Sequence, residues 1–195
     1  MKKLEIVIVI VVAVIGALLI YNHFDKKPEQ EVIVNKFTSE YAIVPEDNIY
    51  TYKTIDEVIT LLGEGTGVVF MCTPTSTWCH SYAYYLNDVL KKQGLNEIYY
   101  LNVKADRDLN TIKYQKLLEY LDPFLYKDDQ NVGKIYMPNV TFVRNGIVRA
   151  NDNETALVQS DVNPENYWTQ ETINAFELKI KNYLYLINSE EETYE

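Results

Sequence analysis

The chain has 195 residues, nearly half of them apolar, and a formal net charge of −10; this suits one domain with an appendage and a normal core. Its acidic residues are spread along the chain, which argues against nucleic-acid binding, because that needs a basic face to release counterions from phosphate. Two cysteines and two histidines are too few for a disulfide scaffold or a structural zinc site, so neither a metal nor a cofactor is expected.

At the N-terminus, Lys2 and Lys3 precede an unbroken apolar run from Ile6 to Tyr21, closed by Asn22, His23, Asp25, Lys26 and Lys27. An apolar helix closes its own backbone hydrogen bonds and so is able to cross lipid. Sixteen residues fall slightly short of the usual ~20, but Leu4, Phe24 and snorkelling lysines extend the span. No small-x-small cleavage site follows the run, so residues 1–25 read as an uncleaved transmembrane anchor rather than a signal peptide. The positive flank favours a single-pass protein of the cell membrane with its C-terminal domain outside, where disulfides persist.

Residues 26–47 read as a polar tether, with a short strand at Glu31–Val34 or Tyr41–Val44. A domain is expected over 48–190, with an acidic tail at 189–195. Asn48–Lys53 is strand-like. Thr54-Ile-Asp-Glu57 is a capping box that opens a helix to about Leu62. Val68–Cys72 reads as a short buried strand, and a helix pattern runs from about Cys79 to Gln93, with Gly94 as its C-terminal glycine. Ile98–Val103 is the next strand and Asp108–Leu121 the next helix. A polar loop, 122–134, leads to a strand at Asn139–Arg144. Asn145-Gly146 is a two-residue hairpin turn, with Ile147–Ala150 as the partner strand. A polar insertion, 151–168, precedes a last helix over about 170–188, capped by Thr169. Alternating strands and helices imply parallel pairing, and the terminal hairpin makes the sheet mixed. Seventeen tyrosines, many clustered as YAYY, IYY and NYLY, read as core and half-buried filler.

Two stretches carry a resemblance. MPNVTFVRNG, 137–146, looks like the cis-proline, strand and turn of thioredoxin. VVFMCTPTSTWCHSYAYYL looks like its buried strand, proline-bearing loop and Trp-Cys at a helix start. The chain therefore resembles the thioredoxin-like superfamily, over roughly 48–188, and most of all its small anchored or secreted members in Gram-positive bacteria. The resemblance implies an α/β fold of three layers with a mixed sheet and a cis bond at Met137–Pro138, the X-Pro bond being the common place for cis geometry.

In this family a Cys-x-x-Cys does the chemistry, and here it is broken. In one register Cys79 is the nucleophile and Tyr82 stands at the second cysteine position. In the other, which keeps Pro74, Trp78 and Cys79 in place and is preferred, Cys79 is the second cysteine and Ser76 stands at the nucleophile position. A helix N-terminus lowers a thiol pKa, so Cys79 is the candidate reactive thiol. Cys72 is its possible partner if the strand end and helix start come within about 7 Å; otherwise it is a small buried residue. Ser76 is a helix cap or a hydroxyl aimed at a substrate thiolate. Trp78, Met137 and Pro138 are the candidate substrate-binding residues, lining a groove that holds an extended peptide in this fold. Two functions are thus expected to compete. One is thiol-disulfide exchange on secreted or surface proteins. The other is a redox-inactive module that binds an extended peptide or partner protein.

Overall fold

The computed structural model describes residues 36–158 and 161–189. The apolar run at 6–21, the possible strand at Glu31–Val34 and the acidic tail beyond 189 lie outside the described residues. Among the described residues no helix is long and apolar enough to cross a membrane.

A five-stranded mixed sheet is flanked by helices on both faces. In chain order its strands are β1 (Tyr50–Tyr52), β2 (Gly67–Cys72), β3 (Ile98–Asn102), β6 (Asn139–Arg144) and β7 (Ile147–Asp152), in the spatial order β1-β3-β2-β6-β7. β3 pairs in parallel with β1 and β2, while β6 runs antiparallel to both β2 and β7. The outlying β4 (Tyr126–Lys127) and β5 (Gly133–Lys134) form a separate two-stranded ribbon.

The helices are α1 (Ile55–Glu64), α2 (Thr77–Lys92), α3 (Lys104–Asp108), α4 (Ile112–Leu121), α5 (Pro164–Tyr167) and α6 (Gln170–Asn188). Period-two alternation in β2 divides the core in two. Val68, Phe70 and Cys72 face one side, with Cys79, Tyr82 and Leu86 of α2 and Phe176, Ile180 and Leu184 of α6. Val69 and Met71 face the other, with Val58 and Leu62 of α1 and Leu117 and Leu121 of α4.

Local signals account for most element ends. The capping box at Thr54 and Glu57 forms as its spacing requires. Thr169 caps α6 through the Thr172 amide. Gly94, φ 83°, lies just past α2. The Asn145-Gly146 turn joins β6 to β7, both residues having positive φ, 50° and 73°.

Several elements depart from the sequence reading. α2 starts at Thr77 rather than Cys79, because Ser76 takes the cap. The helix expected over 108–121 begins only at Ile112, where Thr111 caps it through the Tyr114 amide; a separate short helix, α3, ends at Asp108, and Asn110 at φ 48° lies between the two. The 122–134 loop holds a 3-10 turn, Asp122–Phe124, and the β4–β5 ribbon. The insertion 151–168 extends β7 to Asp152 and then forms a 3-10 turn, Glu154–Leu157, and α5. Residues 36–40 are helical and 41–44 form turns, so Tyr41–Val44 is no strand. Phe37, Tyr41 and Val44 are buried against β1 and β3, so the C-terminal half of the expected tether belongs to the core. Tyr41 donates its hydroxyl to that of Tyr100, 2.9 Å away. This short apolar set, spaced along a single helical turn and its exit, is too brief for periodicity to reveal.

Candidate functional site

Strand pairing brings the candidate residues together at one end of the sheet. Met71 pairs with Asn139, the residue after Pro138, and Cys72 pairs with Asn102. The Met137–Pro138 peptide bond is cis, as expected. Met137 is partly buried and packs against both halves of the core.

The loop 73–76 turns the chain from β2 into α2. Ser76 is the N-cap, and its Oγ accepts the Cys79 amide at 3.4 Å. Cys79 therefore stands three residues inside the cap, facing back toward the strand. It is bonded to Cys72, with the Cα atoms 5.9 Å apart, inside the range a disulfide needs. Both cysteines are 0% exposed, and among the described residues there is no free cysteine. The Thr73 amide donates to Cys79 Sγ at 3.5 Å. His80 is half-buried; its Nε2 hydrogen-bonds the Pro74 carbonyl at 2.7 Å, and its ring lies 5.0 Å from that of Tyr41. The loop is thus fastened by the disulfide and by side-chain and backbone hydrogen bonds.

Trp78 is half-buried beside this loop and meets Tyr167 edge to face, ring centroids 5.3 Å apart. Tyr167 and the buried Trp168 come from the end of the 151–168 insertion. Trp168 Nε1 donates to Ser81 Oγ at 3.0 Å, and its ring lies 4.5 Å from that of Tyr85. The insertion therefore folds against the outer face of α2 and raises an aromatic wall next to the helix start.

One turn past Cys79, the buried Tyr82 donates its hydroxyl to Asp152 Oδ2 at 2.7 Å. Lys179 of α6 bridges Asp152 and Glu154, at 2.7 Å from each. Burial, and then the neighbouring Asp152 charge, push the Tyr82 phenol well above its usual range. For Lys179, burial opposes the charged form, but Asp152 and Glu154 outweigh it and raise the ammonium pKa. This network ties α2, β7 and α6 together behind the disulfide. Sequence reasoning missed it; the only signal is a lysine flanked by Leu178 and Ile180 on an apolar helix.

Chemically, the arrangement offers no exposed thiol. Exchange begins with thiolate attack on sulfur and depends on access, and both sulfurs are enclosed. Ser76 presents a hydroxyl at the cap and already accepts a backbone hydrogen bond. Among the described residues no group of three His, Cys, Asp or Glu side chains is placed to hold a metal ion. Depressions of about 300 Å³ lined by Lys53, Glu57, Leu61 and Tyr99 and of about 380 Å³ lined by Asp47, Asn87 and Lys91 include no residue of the α2 start. No known protein family, no curated protein and no solved structure matches the chain.

Proposed function

We propose that this protein is a thioredoxin-like module that binds an extended peptide or partner-protein segment beside cis-Pro138, without carrying out thiol-disulfide exchange. The observation that carries this reading is the enclosure of both sulfurs in one buried bond, with serine at the helix cap. The sheet order β1-β3-β2-β6-β7 and the cis proline beside the helix start support the thioredoxin-like assignment. The position of Ser76 at the cap supports the register in which it replaces the nucleophile. The disulfide then acts as a clamp between β2 and α2. On this reading the half-buried Met137 and Trp78 supply apolar contact beside the buried Pro138, and backbone pairing supplies the affinity. The apolar run at 6–21 supports an N-terminal anchor holding this module outside the cell membrane.

One observation favours exchange as a second reading. Cys79 stands in the first turn of α2 and receives the Thr73 amide, features that stabilise a thiolate. The two readings part in a paired assay of insulin reduction by a dithiol and native-state alkylation. A binding module is inert in both, whereas Ser76→Cys, which puts a thiol at the half-buried cap, is alkylated and gains turnover. Turnover by the natural chain above the dithiol background contradicts the binding reading.

A further inference from the structure

The aromatic wall raised by the insertion has a charge pattern of its own. Between Arg149 and Lys179 the chain carries six carboxylates, Asp152, Glu154, Asp161, Glu165, Glu171 and Glu177, and no lysine or arginine. Lys179 neutralises Asp152 and Glu154 in part, and Lys181 lies 3.6 Å from Glu177. Asp161, Glu165 and Glu171 are exposed, and none has a cationic partner among the described residues. Glu165 belongs to α5, the same short helix that presents Tyr167 to Trp78, and Glu171 opens α6 three residues after Trp168. Burial, and then the charge of Glu154, raise the Tyr167 phenol above its usual range, with Lys179 opposing.

Trp78 and Tyr167 are both half-buried and meet edge to face, and Tyr167 also meets Trp168 edge to face at 5.1 Å, so only part of their ring surface is left to solvent. An aromatic face attracts a cation through its quadrupole, and flanking carboxylates add Coulomb attraction that salt screens. The same field repels an acidic partner. We propose that this wall selects the partner by charge: the segment bound beside cis-Pro138 carries a lysine or arginine that stacks on the Trp78–Tyr167 pair within the field of Asp161, Glu165 and Glu171. This inference rests on the binding reading of the same site and names the class of its partner, a basic extended segment of another protein.

The test is calorimetric titration of the full chain in a non-ionic detergent with three blocked nonapeptides, in which valine alternates with lysine, threonine or glutamate. The lysine peptide is expected to bind at least tenfold more tightly than the threonine peptide, and the glutamate peptide not at all; 0.5 M salt is expected to remove most of the difference. Tyr167→Ala lowers lysine-peptide affinity by about fivefold. A triple Asp161→Asn, Glu165→Gln, Glu171→Gln variant abolishes the charge preference and leaves threonine-peptide binding unchanged. Equal binding of the lysine and threonine peptides overturns charge selection while leaving the binding module intact. A preference that survives the triple variant also overturns it. Lysine-peptide binding that appears only once Lys26 and Lys27 are replaced by glutamine places this chain's own tether on the wall and overturns the assignment to a partner. Binding of no peptide by either chain overturns both the inference and the binding module.

Discussion

Tyr82 occupies the position that one register gives to a second cysteine, and its surroundings explain why it serves another purpose. Its ring stacks on Phe70 in the core, with centroids 5.7 Å apart, and its hydroxyl reaches Asp152. A buried hydrogen bond to a charged acceptor contributes more than a neutral one, because its removal leaves a desolvated carboxylate oxygen unmet. Tyr82→Phe is therefore expected to lower stability by about 2 kcal/mol, read as a fall in the urea midpoint at unchanged slope; an unchanged midpoint contradicts the role given to this bond. Cys79 illustrates the limits of local reading. Its place near a helix start is evident from Ser76 and the apolar pattern after it, but its bond to Cys72 depends on how the 73–76 loop closes, which residue identity does not dictate.

At the scale of elements, the disulfide joins the end of β2 to the first turn of α2 across a sequence separation of 7. Replacing both cysteines, Cys72→Ala with Cys79→Ala, removes a short closed loop and is expected to cost about 2–3 kcal/mol of stability in the chain-entropy account. The β6–β7 turn makes a second contact of this kind. Gly146 donates its amide to Gly65 O at 2.8 Å, and a Cβ there would stand 2.1 Å from Gly63 O. Gly94 has a similarly positive φ but open space around it. Gly146→Ala is thus expected to destabilise the protein by clearly more than Gly94→Ala, whose cost is the left-handed strain alone, about 1 kcal/mol. Equal losses in urea unfolding would show that the turn is not wedged against α1. Strands and turns with strong local chemistry, such as Asn139–Arg144 followed by Asn145-Gly146, were legible in the sequence. The α3–α4 break was not, because Asn110 tolerates a left-handed conformation without any residue that announces a stop. Two-residue strands such as β4 and β5 are too short to show a period.

Across the whole molecule, long-range aromatic packing organises one half of the core. Phe37, Tyr41, Tyr50 and Tyr100 form a stacked and edge-to-face group under β1 and β3 that connects through Phe70 to Tyr82. Burial is the leading cause that raises the phenol pKa values of Tyr41, Tyr50, Tyr82 and Tyr100. The native state then keeps protons that the unfolded chain loses near pH 10. The stability these groups contribute is fully present below about pH 10 and is lost as pH climbs toward the raised native values. Urea midpoints should fall above that point, and phenolate absorbance from the buried rings should appear together with loss of circular dichroism. Ionisation of every tyrosine near pH 10 with the fold intact contradicts this. The mixed sheet and its helical cover were legible from the alternation of elements. The aromatic wall, the Asp152–Lys179 pair and the docking of Phe37 and Tyr41 were not, because each joins residues far apart in the chain.

The clamp role of the disulfide is tested most directly by trapping Cys72 and Cys79 with an alkylating reagent and counting modified thiols by mass spectrometry, across thiol buffers of increasing reducing power and without denaturant. Burial of both residues predicts that the native bond stays oxidised and unlabelled through the range of exchange enzymes, about −120 to −270 mV, and yields only below about −300 mV or on unfolding. Labelling of Cys72 or Cys79 in the folded protein, with a midpoint inside the exchange range, would contradict a structural clamp and return the site to redox chemistry.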